Sequence, residues 1–275
     1  MSNEDLFAQI SADLGSGRKD GVSSKILMIA ESTDDPYEVL KCLSLLKLVE
    51  DEGTESKLCD ILLGMADQSN GLEICTSLRN LDLPETALTI LKKMEPSDRS
   101  LRLECQCLYD MEEYESAMDK YSKIQNPVIN DRILFSSIQS AVGEYNAAVD
   151  TATALLEEYP TDYDVRIAYV NALLRCGKDK EAAKYARNAV KDKTADSNAI
   201  AAYVLRIAGN TKAAAGYATR AINLDNNHIG AMETLGICLA AKQEYDKARI
   251  VAGAINEISP GNKAALNILA NIENS

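Results

Sequence analysis

Apolar residues recur every three or four positions along most of the chain, and short polar stretches interrupt them at intervals of about a dozen residues. Such a period puts an apolar stripe on one face of a helix, so the chain reads as a succession of short amphipathic helices. The register is set by alanines that follow a short loop and open an apolar run: Ala87, Ala117, Ala148, Ala182, Ala214 and Ala248. Their spacings are 30, 31, 34, 32 and 34 residues. About a dozen residues upstream of each stands a small or compact residue, namely Cys75, Cys105, Ser136, Val170, Ala202 and Gly236. Three positions later come Leu78, Leu108, Gln139, Leu173, Leu205 and Leu239. Gly143, Gly177 and Gly209 mark the turn in three of the units. Pro160 and Pro260 stop the second helix in two, while Pro96 and Pro127 stop it earlier in the two shorter ones.

This pattern predicts an array of helical hairpins, each with a helix of about 13 residues, a turn, a second helix and a breaker. Alanine at the start of the second helix is a strong helix former and lets two helix axes approach where they cross. One hairpin cannot bury its own stripe, so neighbours must stack to close a core.

The sequence here resembles the tetratricopeptide repeat (TPR) family, a helix–turn–helix unit of 34 residues with small, aromatic and proline residues in fixed places. Unit 229–262 matches at Leu235, Gly236, Tyr245, Ala248 and Pro260, and unit 129–162 at Phe135, Gly143, Tyr145, Ala148 and Pro160. Units near 163–194 and 195–228 match more weakly, those near 68–97 and 98–128 are short and degenerate, and 263–273 reads as a capping helix. The resemblance implies an all-α, right-handed α-solenoid of stacked helix–turn–helix units. The chain departs from the family in having no Trp, in placing Asp179 and Thr211 where the turn tyrosine stands, and in placing Ala152, Ala186, Ala218 and Ala252 where a large aromatic is usual. Residues 1–67 read as degenerate, acidic hairpins. There Asp35-Pro36 forms an N-cap and first helical residue ahead of "YEVLKCLSLLKLV", and the whole chain reads as one continuous solenoid.

Composition narrows the function. Apolar residues make up 46% of the 275, with no Trp and two Phe, which favours helices packed through small side chains. Net charge is −13. Residues 1–67 carry 6 Lys+Arg against 14 Asp+Glu, 68–128 carry 7 against 11, and 129–275 carry 16 against 17. Such a chain has no electrostatic footprint for nucleic acid or an anionic membrane, and its acidic N-terminal third suits a basic partner. Seven cysteines without a C-x-x-C pair, and a single His228, provide no metal set and suggest reduced thiols in the cytoplasm. The acidic N-terminus lacks the features of a signal peptide, and no apolar run is long enough to insert in a membrane.

Gly15-Ser16-Gly17-Arg18-Lys19 lacks the ending of a P-loop and a preceding strand. Adjacent pairs such as Glu112-Glu113 splay apart on a helix, and His228 reads as a surface turn residue. No catalytic residue, cofactor or metal ligand is expected, and the chain reads as a non-enzyme. The first helices line the concave face of such an array. The residues expected there include Arg79, Arg102, Tyr109, Asn171, Arg175, Tyr203 and Arg206, with arginines for carboxylates and aromatic rings for apolar anchors. Clamps of chaperone C-termini in this family use Lys and Asn residues over three first helices, and here only Asn171 stands at such a place. The reading is a scaffold or adaptor that binds a peptide or partner helix in the groove, where the arginines suit an acidic ligand. An obligate subunit of a larger complex, docking through its convex face or ends, and a regulator of an enzyme remain alternatives.

Overall fold

The computed structural model describes residues 2–259 and 262–273, so Pro260 lies outside the described residues. Seventeen α-helices run through them. The first hairpins are α1 (Asn3–Gly15) with α2 (Val22–Ser32), α3 (Pro36–Leu46) with α4 (Glu52–Met65), α5 (Gly71–Asn80) with α6 (Pro84–Leu91), and α7 (Asp98–Asp110) with α8 (Tyr114–Tyr121). Then follow α9 (Ile129–Ala141) with α10 (Tyr145–Glu158), α11 (Tyr163–Arg175) with α12 (Asp179–Ala189), α13 (Ala195–Ile207) with α14 (Thr211–Leu224), and α15 (Ile229–Ala240) with α16 (Tyr245–Ile258). The last helix is α17 (Lys263–Glu273), and a 3-10 turn (Val190–Asp192) follows α12. The two helices of each hairpin pack on each other, and the chain divides into two compact units, Met1–Pro127 and Val128–Ser275.

The register alanines have a common physical role. Ala87, Ala117, Ala148, Ala182, Ala214 and Ala248 are all fully buried. In three units the compact residue twelve positions upstream is tied to the alanine directly. Cys75 Sγ donates to Ala87 O at 3.3 Å, Cys105 Sγ to Ala117 O at 3.3 Å, and Ser136 Oγ to Ala148 O at 2.9 Å. A larger side chain at either place would part the helices and break that bond. At Gly236, an added methyl would run into Ile268 of α17, so the absent side chain there is what allows the capping helix to seat.

The turn within each hairpin is equally regular. Five residues before each alanine the backbone enters the left-handed region, at Asp82, Glu112, Gly143, Gly177, Gly209 and Gln243, with φ between 61° and 89°. The next residue's N–H then reaches back to the carbonyl of Leu78, Leu108, Gln139, Leu173, Leu205 or Leu239 at 2.8–3.0 Å. This six-residue closure ends the first helix and aims the second. It explains why those six residues keep register although one of them is polar. Three turns have glycine in the left-handed place; the other three hold a side chain there at a cost of about 1 kcal/mol each.

Helix starts follow ordinary capping chemistry. Asp35 accepts from Tyr37 N at 2.9 Å with Pro36 at the first helical position, as the sequence suggested. Thr194 with Ser197 forms a capping box at α13. His228 departs from expectation. It is 7% exposed rather than a surface residue, because its ring caps α15. Nδ1 accepts from Ala231 N at 3.2 Å, which leaves the proton on Nε2, 3.2 Å from Asp196. Tyr163 meets the imidazole edge-on at 4.7 Å.

Candidate functional site

Within Val128–Ser275 the first helices α9, α11, α13, α15 and α17 each pack on the next, whereas each second helix packs on its own first helix and the one after. The first-helix side is therefore the inner side of that unit. Side chains three or four residues apart on these helices project onto it.

Asn171, Arg175, Tyr203 and Arg206 come together there, on α11 and α13. Tyr203 Oη donates to Asn171 Oδ1 at 2.6 Å, linking the two helices. One turn along α13, the Arg206 guanidinium lies 5.2 Å from the centre of the Tyr203 ring. Burial pushes the Tyr203 phenol above its usual pKa range and Glu233 on α15 adds to this, while Arg206 and Arg175 pull it back. Arg206 Nε is buried and has no hydrogen-bond partner among the described residues. Arg175 is exposed and forms no ion pair among them. Glu233, which accepts from Asn267 Nδ2 at 2.7 Å, bounds the cluster on the side of α17.

The other three candidates lie in Met1–Pro127 and are already engaged. Arg79 Nε donates to Asp110 Oδ2 at 2.6 Å, joining α5 to α7. Arg102 helps to hold the Asp98 carboxyl below its usual range, after the larger contributions of the Gln125 and Asn126 backbone N–H groups. The Tyr109 ring packs on Tyr114 at 5.4 Å. The candidates thus form one cluster in the second unit and separate contacts in the first.

Three charged groups at buried places escaped the sequence reading, among them Asp131, 1% exposed, which accepts from Val128 N at 2.9 Å at the start of α9. Arg166 is 6% exposed, donates from Nε to Tyr185 Oη at 3.2 Å, and lies 3.6 Å from Asp192. Glu104, also 6% exposed, pairs with Lys120 across the α7–α8 hairpin. The signal for Glu104 was present: its repeat position is apolar in every other unit. Among the described residues, no group of three or more His, Cys, Asp or Glu is placed to hold a metal, and no helix is long and apolar enough to cross a membrane.

No protein-family model matches the chain, and no curated protein matches its sequence. Solved structures do. A tetratricopeptide repeat protein from Parabacteroides merdae superposes with a TM-score of 0.52 at 14% identity, over 86% of this chain and 98% of that one. The chain has a tetratricopeptide-repeat fold. A thermophilic TPR protein of Thermus thermophilus is also similar, with a TM-score of 0.43 at 14% identity, over 75% of this chain and 100% of that one. At such identities the likeness is one of fold. The six buried alanines and six left-handed turns show which residues of this TPR array maintain it.

Proposed function

We propose that the chain is a protein-interaction scaffold whose second unit binds an extended acidic peptide across its first helices. The observation that carries this reading is the Arg206 Nε, buried without an acceptor beside Tyr203 and the unpaired Arg175. A buried donor left unsatisfied costs about 1–3 kcal/mol, and a peptide carboxylate that supplies the acceptor recovers it. Arg175 then pairs with a second carboxylate at the exposed edge. The Tyr203 ring, fixed by Asn171, provides a flat apolar surface for the peptide backbone or an aromatic anchor. In this reading Arg79, Arg102 and Tyr109 contribute charge and surface in the first unit without themselves grasping a ligand, since their side chains are already engaged. No step of bond making is involved, and the work is done by recognition.

The test is a titration of a fluorescent, Glu-rich peptide carrying one aromatic residue. The wild-type chain should bind it in a salt-sensitive way, and Arg175→Glu with Arg206→Gln should weaken binding at least about tenfold, the effect of losing one charged hydrogen bond. Unchanged binding in that variant, with the fold intact by circular dichroism, would make the groove assignment wrong.

A further inference from the structure

The hairpin α7–α8 breaks the rule its neighbours obey. Thirteen residues before the register alanine the other units have Ile74, Phe135, Tyr169, Ala201 and Leu235, and this one has Glu104. Three residues after the alanine, where Ile90 and Tyr185 stand in two of the others, it has Lys120. In the α11–α12 hairpin the equivalent pair is Tyr169 on Tyr185, rings 5.1 Å apart. Here an apolar contact is replaced by an ion pair. Glu104 is 6% exposed and its Oε2 lies against the Lys120 ammonium, accepting no well-formed hydrogen bond from any described group. Packed apolar residues are often as stable as such a pair or more so, so hairpin stability does not account for it.

The pair opens into a cleft of about 670 Å³ between α6 and α8, floored by α7. Leu88, Leu108 and Met111 form its apolar surface. Around them stand Glu85, Glu113, Glu115 and Asp119, against Lys92 and Lys120. The cleft therefore combines an apolar floor, an acidic rim and a carboxylate sunk among apolar neighbours.

We propose that this cleft docks a basic amphipathic helix of a protein partner. The apolar face of that helix lies on Leu88, Leu108 and Met111. One arginine reaches Glu104, where its planar fork satisfies both carboxylate oxygens better than the point charge of Lys120 does. Lys120, whose side chain is 31% exposed, turns out to solvent as the arginine enters. Basic residues flanking that arginine meet the rim carboxylates, which steer the encounter. The site is separate from the first-helix cluster of the second unit and takes ligands of opposite charge.

The probe is a labelled helical peptide with a leucine stripe flanked by arginines, with a twin carrying glutamate for every arginine, titrated against the full chain by fluorescence anisotropy. The arginine peptide should bind and the twin should not. Glu104→Leu with Lys120→Leu gives this hairpin the apolar pair that Ile74 and Ile90 provide at the same positions of α5–α6. It should leave the thermal midpoint unchanged or raised and weaken the arginine peptide at least about tenfold. Glu85→Lys with Glu115→Lys, both at exposed positions, should also weaken it and flatten its salt dependence. Equal binding of the twin, or wild-type binding by either folded double variant, would overturn the proposal and show a basic peptide adhering to an acidic surface at large. Should the leucine pair fail to fold, the rim variant alone decides.

Discussion

Leucine and isoleucine fill the hairpins of Met1–Pro127, whereas alanine lets those of Val128–Ser275 close up. Of the leucines and isoleucines less than 2% exposed among the described residues, ten belong to the first unit, from Ile10 to Leu91, and six to the second, namely Ile138, Leu155, Leu173, Ile200, Ile255 and Ile268. The second unit instead buries alanines in series, including Ala148, Ala152, Ala182, Ala186, Ala214, Ala218, Ala248 and Ala252. Packing on the second-helix side differs too: α2 packs on α4 and α4 on α6 in the first unit, while the second helices of the second unit do not pack on each other in this way. The same hairpin can thus be stabilised by side-chain volume or by close approach of backbones. The second solution opens the outer layer and gathers the first helices on the inside, where the arginine and tyrosine cluster lies.

The largest expected contrast is in thiol chemistry. Cys42 and Cys75 in the first unit are pushed up to about 12 by burial, while Cys176 in the second is half-buried and lies near solvent. A raised thiol pKa means that the proton stays on, so near neutral pH these two hold about a thousandfold less thiolate than an ordinary cysteine. Alkylation of the native chain followed by mass spectrometry should mark Cys176 first. Early modification of Cys42 or Cys75 would show that the first unit opens more readily than its packing implies.

Substitutions in the two cores should behave oppositely. Leu43→Ala removes a fully buried side chain from the first unit and should cost about 3 kcal/mol in chemical denaturation, from lost burial and the cavity left behind. Ala218→Leu in the second unit should cost about 2 kcal/mol, since the added carbons have no room where two helices meet. A tolerated leucine at Ala218 would end the claim that close approach holds that unit together. The turns give the smallest effect. Glu112→Gly relieves a side chain at φ 61° and should raise stability by about 1 kcal/mol, whereas Gly177→Asp puts one at φ 73° and should lower it by a similar amount.

Much of the fold was legible because the repeat repeats: alanine spacing located the helix crossings, and glycine located three of the six turns. The remaining turns were hidden because Asp82, Glu112 and Gln243 adopt the left-handed conformation without being glycine. His228 was misread because "DNNH" looks like exposed loop, while burial there depends on Tyr163, 65 residues earlier in the chain. Helical spacing alone identified Asn171, Tyr203 and Arg206 as neighbours on one face. It could not show that Arg79 is engaged by Asp110, or that Glu104 is buried, since both depend on which helix of the next hairpin lies alongside.

The inner face of the second unit is where binding is expected, and a peptide-display selection tests it directly. Random linear peptides are selected against the wild-type chain and against Arg175→Glu with Arg206→Gln. The wild-type pool should be enriched in Asp and Glu around an aromatic or apolar residue, and that enrichment should vanish with the variant. Identical pools from the two proteins, or a wild-type pool without acidic enrichment, would contradict the account.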